Sequence, residues 1–129
     1  MTNTVFQDTA CPDLLAQQLG LLFQRQALPM WLYETTTLRI LAVNEAACKQ
    51  YGYSTDEFTA LTILDLREPE YHEQTRAAAA RAVGCRRSRT CHVRRDGSRL
   101  EVEVFSNDFP LAGHHARLIT AIDRSEQRL

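Results

Sequence analysis

Asp96-Gly97 lies between two segments of alternating character, Thr90–Arg94 (TCHVR) and Leu100–Phe105 (LEVEVF). Between such segments an Asp-Gly pair is the strongest short-range hairpin signal, because glycine supplies the left-handed backbone a tight turn needs. An antiparallel sheet is therefore built into the chain, and the loop length decides which side chains share a face. A two-residue turn sets Val93 opposite Leu100 and turns His92 to solvent beside Glu101. It also sets Arg94 opposite Arg99, a like-charge pair unfavourable by about 0.2–1 kcal/mol. A three-residue loop, Arg95-Asp96-Gly97, with Gly97 in the bulge position, instead pairs Arg94 with Ser98, His92 with Leu100 and Arg89 with Glu103. Charges then match, so this register is expected. It puts Thr90, His92, Leu100, Val102 and Val104 on one inner face.

The remaining elements follow from periodicity and punctuation. Cys11–Gln26 reads as an amphipathic helix with Leu15, Leu19, Leu22 and Phe23 at helical spacing. Leu14 and Leu21 widen its apolar face, which is expected to touch more than its own domain. Met30–Glu34 and Leu38–Val43 read as strands joined through Thr35-Thr36-Thr37. Trp31 and Tyr33 face one side of the first, Met30 and Leu32 the other. Asn44 suits an N-cap for the helix Glu45–Tyr51, closed by Gly52. Ser54-Thr55-Asp56-Glu57 is a capping box for a second short helix. Pro69 opens a third that Gly84 ends, with Tyr71, Thr75, Ala78 and Ala82 along one face and His72 on its flank. A last strand, Ala116–Ile122, follows a turn at Ala112-Gly113. The class is α+β, with one antiparallel sheet whose helices are grouped on one face.

Composition narrows the function. At 129 residues, with 44% hydrophobic and 24% charged residues, the chain is a single globular domain. A formal charge of −1 leaves no global field for nucleic acid or anionic lipid. Arg86, Arg87, Arg89, Arg94, Arg95 and Arg99 cluster around the hairpin, but Glu101 and Glu103 interleave with them and stacking aromatics are missing there. A solvated charged face is expected. No apolar run approaches the roughly 18 residues of a membrane span, and Met1–Ala10 lacks a secretory signal, so the expected location is the cytoplasm. Cys11, Cys48, Cys85 and Cys91 show no metal-ligand spacing and are expected as reduced, buried or half-buried thiols. Cys91 and His92 are adjacent in a strand, point to opposite faces, and cannot chelate one ion.

Four motifs carry a resemblance. Val43-Asn44-Glu45-Ala46-Ala47, Tyr51-Gly52-Tyr53-Ser54 with Glu57-Phe58, Arg95-Asp96-Gly97-Ser98 and Asp123-Arg124-Ser125-Glu126 occur in this order with the right elements between them. Over residues 28–125 the chain resembles the PAS sensory domains, in particular those N-terminal to bacterial diguanylate cyclase, phosphodiesterase or histidine kinase modules. The resemblance implies a five-stranded antiparallel sheet in order 2-1-5-4-3 with helices enclosing a ligand cavity. It implies a sensory domain of a signal-transduction protein, with no catalytic residues. The signal would pass through terminal helices to an output domain in cis. One departure is clear: where the family ends on Asp, an aliphatic residue and Thr, this chain has Asp123-Arg124-Ser125.

The resulting expectations are specific. Residues 1–27 form an extension carrying the dimerisation helix, 28–125 the sensory domain, and 126–129 the start of a linker. Thr90, His92, Val102, Val104, Ile119 and Ala121 line the cavity, with His92 and Thr90 orienting a small, partly polar organic ligand. Leu15, Leu19, Leu22 and Phe23 form the interface of a parallel homodimer. His72, at the start of the third helix, is the candidate ligand of a haem-based gas or redox sensor, since haem-binding relatives take their axial ligand from that helix. Its spacing to Gly84 fits those relatives loosely, and haem is disfavoured. Flavin adduct chemistry is set aside because the light-sensing branch needs a cysteine before the third helix, and residues 61–68 hold none. The other alternative is a ligand-free dimerisation module.

Overall fold

The computed structural model describes residues 12–125, so the expectations for Cys11 and for residues 126–129 fall outside the described chain. Helix α1 (Pro12–Gln24) is followed by β1 (Met30–Glu34) and β2 (Ile40–Val43), then α2 (Glu45–Tyr51) and α3 (Thr55–Thr59). Short 3-10 turns at Ile63–Leu66 and Pro69–Tyr71 lead into α4 (His72–Arg81), and β3 (Arg86–Val93), β4 (Arg99–Leu111) and β5 (His114–Asp123) complete the order. The strands form one antiparallel sheet in the order β2-β1-β5-β4-β3.

Asn44 joins the parts of the first half. It is 0% exposed, and its Oδ1 accepts the amides of Ala47 and Met30, each at 3.0 Å, opening α2 and fixing the start of β1. Its Nδ2 donates to the carbonyls of Phe23 and Leu28, at 3.2 and 3.0 Å. One buried amide thus satisfies groups at the end of α1, the entry to β1 and the start of α2, which would be costly to leave unpaired away from water. Ser54 and Glu57 form the expected capping box at α3, and Thr62 with Asp65 forms another at Ile63–Leu66.

The β3–β4 register is the three-residue one. His92 pairs with Leu100 and Arg89 with Glu103, the Arg94 amide donates to Ser98, and Gly97 has φ +86°. Strand β3 begins at Arg86, before the expected Thr90, because Arg86, Arg87 and Ser88 continue the ladder opposite Ser106, Phe105 and Val104. Their polarity concealed the alternation.

Strand β4 likewise runs on to Leu111, past the expected Phe105, and β5 begins at His114, before the expected Ala116, because residues 106–111 pair with residues 114–119; two other boundaries also differ from expectation. Leu38 is outside the strand: its φ is +65°, its amide closes a turn onto the Glu34 carbonyl, and its side chain is buried. The third helix ends at Arg81, and the backbone turns extended at Ala82. There the chain is drawn to the sheet, since the Gly84 amide donates to Asp108 and the Gly84 carbonyl accepts from Arg117.

The core lies on the inner face of the sheet. Trp31, Tyr51, Phe58 and His92 form an aromatic cluster with ring centroids 5.4–5.8 Å apart. Such contacts stabilise by roughly 0.5–1.5 kcal/mol beyond the area they bury. Cys48 and Cys91 are half-buried free thiols, whereas Cys85 is exposed, contrary to expectation, because it lies in the link between α4 and β3.

Candidate functional site

Between the inner sheet face and α4 lies a cavity of about 540 Å³. Strand alternation supplies one wall, since Trp31 and Tyr33 of β1, Thr90 and His92 of β3, Val104 and Ser106 of β4 and Ile119 of β5 border it. The expected face of the third helix supplies the other: Tyr71, Thr75, Ala78 and Ala82 all border the cavity, with Ala79 beside them. Short side chains along this helix leave the space open.

His92 is 6% exposed, with Nδ1 2.6 Å from the Tyr51 hydroxyl oxygen. Burial, with a smaller contribution from the Arg67 charge, pushes the imidazole down to about 3, so it is neutral at physiological pH. Burial raises the Tyr51 phenol, which stays protonated. The pair is thus a neutral hydrogen-bonded unit that joins the cavity wall to the last residue of α2. Beyond it, the Tyr51 carbonyl accepts the Arg95 amide at 2.9 Å, and Arg95 pairs with Glu57 at 3.1 Å. The cavity floor is therefore linked to the β3–β4 loop.

Other residues named from sequence are placed differently. Thr90, His92, Val104 and Ile119 border the cavity together. Val102 and Ala121, 2% and 1% exposed, do not reach it: they lie in the core cluster that contains Tyr51 and Phe58. His72 does not border it either, because its Nε2 donates to the Arg67 carbonyl at 3.1 Å. On α1, Leu19 and Leu22 are exposed along with Leu14 and Leu21, while Leu15 and Phe23 are half-buried.

Several polar groups here escaped the sequence reading. Arg117, 0% exposed, donates through Nε to Ser106 Oγ at 2.7 Å, through Nη1 to Asp108 at 2.6 Å and through Nη2 to the Gly84 carbonyl at 2.8 Å. It fixes the cavity's far end, where Ser106 and Ala82 sit. Its inward position was available from parity with Ile119 and Ala121. Arg67 borders the cavity from the link between the 3-10 turns, 5.6 Å from the Tyr71 ring centroid, and its Nε is buried without a partner among the described residues. Trp31 Nε1 is likewise buried and unpartnered. No periodic signal marks Arg67.

On the opposite face, Glu103 is buried and accepts from Arg124 Nε and Nη2 at 2.9 and 2.7 Å, and from Arg87 Nε. Arg124, then Arg87, hold its carboxyl below the ordinary range. The Arg124 amide donates to the Glu101 carbonyl at 2.9 Å. The chain leaving β5 is thus clamped to β4 and β3 by an ion-pair network.

Neither a protein-family model nor a curated protein matches the chain. Solved structures do. The PAS domain of an HTR-like protein from Haloarcula marismortui is 22% identical with a TM-score of 0.79, the match covering 91% of this chain and 98% of that one. A domain of a sensory box sensor histidine kinase/response regulator from Geobacter sulfurreducens is 26% identical with a TM-score of 0.73, over 86% and 96% of the two chains. A LOV protein from Rhodobacter sphaeroides is 12% identical with a TM-score of 0.73, over 88% and 68%.

Proposed function

We propose that this chain, which has the PAS fold, is the sensory domain of a bacterial signal-transduction protein, binding a small organic molecule in its cavity. The observation that carries the reading is the cavity itself, whose lining mixes aromatic and aliphatic side chains with polar ones, and which His92, held neutral and hydrogen-bonded to Tyr51 behind it, borders. Pockets of 300–1,000 Å³ with an apolar lining and a few placed polar groups are typical small-molecule sites. Among the described residues no acidic side chain borders it to form an acid–base pair with His92, which supports a regulatory role. Residues 28–125 form the sensory unit in the cytoplasm, and the chain from residue 126 starts the linker to an output domain on the same polypeptide. The Arg124–Glu103–Arg87 network couples that exit to the sheet, replacing the aliphatic contact of the family pattern with a charged one. No described helix is long and apolar enough to cross a membrane.

Self-association is part of the proposal. Leu19 and Leu22 stand exposed beside Leu14 and Leu21, and a parallel homodimer through Leu15, Leu19, Leu22 and Phe23 would cover them. Dimerisation without a ligand is the second reading, and the same leucines favour it. The haem reading has no such support, since the His72 ring nitrogen is engaged by Arg67 and stands off the cavity.

Thermal denaturation with a library of small organic compounds tests the ligand reading. At least one compound is expected to raise the Tm of the wild-type chain and not that of His92→Phe. Each protein is compared with its own ligand-free state, because the variant leaves the Tyr51 hydroxyl without its His92 partner at a cost of about 1–3 kcal/mol. Hits that stabilise both proteins equally would remove His92 from the ligand contacts.

A further inference from the structure

The chemistry of the cavity border narrows the ligand. Its charged residues, Arg67, Arg86, Arg87 and Arg89, are all cationic, and no Asp or Glu among the described residues borders it. Arg87 is paired with Glu103 on the outer face, but Arg67 makes no ion pair among the described residues. Burial lowers its guanidinium from the ordinary value, as expected of a cation withdrawn from water without a counter-charge. The Tyr71 ring, 5.6 Å from the guanidinium carbon, offers a weak cation–π contact but no anionic partner, and a partly buried cation gains from one.

Two buried donors without a partner belong to residues that border the cavity. Arg67 Nε–H and Trp31 Nε1–H have no acceptor among the described residues, and Trp31 is 2% exposed. The Trp31 ring lies 5.8 Å from His92, and Trp31, His92 and Arg67 all border the same cavity. Unsatisfied buried donors in one pocket call for an acceptor from outside the chain.

We propose that the ligand is an organic monocarboxylate whose carboxylate is held by Arg67 and Trp31 and whose apolar body lies against Ala78, Ala79, Val104 and Ile119. The inference rests on the ligand-sensing reading above. A monocarboxylate is preferred to a phosphate ester because its single negative charge balances the one unpaired buried guanidinium, whereas a phosphate ester carries about −1.5 to −2, and its oxygens can accept from both the Nε edge and the indole. His92, being neutral, contributes a hydrogen bond and no charge.

Isothermal titration calorimetry on the full chain, with phenylbutanoate and octanoate against their primary amides, tests this. The acids should bind at least about tenfold more tightly than the amides, a difference of about 1.4 kcal/mol. Arg67→Met should lose about tenfold or more for the acids, Arg67→Lys should fall between it and wild type, and Arg76→Gln should match wild type. Arg67→Met should also unfold at a Tm equal to or above that of the ligand-free wild type, because it removes the unpaired cation. Acids and amides binding alike, or acid affinity unchanged in Arg67→Met, would overturn the proposal. Binding of amides alone would overturn it while leaving the sensory reading standing. A chain that takes none of these probes and none of the library compounds would overturn both.

Discussion

His92 is a neutral imidazole in a protein that would expose it on unfolding, and that difference fixes how stability responds to pH. Its folded value of about 3 lies far below the roughly 6.5 of an exposed histidine. As pH falls below about 6.5 the unfolded chain takes up a proton that the folded chain refuses, so the contribution is full above that pH and is lost toward pH 3. Between pH 7.5 and 5.5 the loss is about 1.4 kcal/mol. Glu34, Glu57, Asp96 and Glu103, all held below their ordinary values, lose their contributions at lower pH, where carboxylates titrate. Urea unfolding at the two pH values should show this loss for wild type and a loss smaller by about 1.4 kcal/mol for His92→Phe. Equal losses would mean that His92 is not buried neutral. The inward position of His92 was legible because the Asp96-Gly97 loop and the charge pairing left one sensible register. Its bond to Tyr51 was not, since it joins residues far apart in the chain. Arg67 was illegible for a related reason: a side chain on an irregular link has no parity to read.

At the scale of elements, α1 is tied to the rest of the chain at its C-terminal end. Gln24 donates to the Val43 carbonyl at 3.0 Å and Phe23 gives its carbonyl to Asn44, while Leu19 and Leu22 remain exposed. A helix anchored at one end with apolar residues along its length is suited to meet a second copy of itself. Leu19→Glu should lower the dimer fraction by about tenfold in sedimentation equilibrium without altering the far-ultraviolet circular dichroism of the sheet. A wild-type monomer at high micromolar concentration would contradict the interface. Element types were readable where periodicity or a cap marked them, as with the capping box at Ser54 and the small-residue face of α4. The turn at Ile63–Leu66 and the early start of β3 were hidden, the first by its brevity, the second because arginines on an edge strand carry no hydrophobic alternation.

For the molecule as a whole, the two faces of the sheet carry different features. The inner face, with α4, encloses a cavity whose floor connects through Tyr51 to the β3–β4 loop. The outer face binds the exit of β5 through Glu103. Ligand entry on one face would bear on the exit through strands that both faces share, which is how a small molecule would alter the linker. Sheet order and the helical wall were foreseeable from the family resemblance that the motifs carry; which inner-face residues reach the cavity was not, because Tyr51 and Phe58 lie in the core cluster with Val102 and Ala121. The most direct test of the central claim is native mass spectrometry of the wild-type chain beside Ala78→Phe, a variant that fills the cavity. Both would be equilibrated with the small-molecule fraction of a bacterial extract. The account predicts a non-covalent mass of a small organic molecule on the wild type that is absent from the variant. Identical spectra for the two proteins, with or without an added mass, would contradict it.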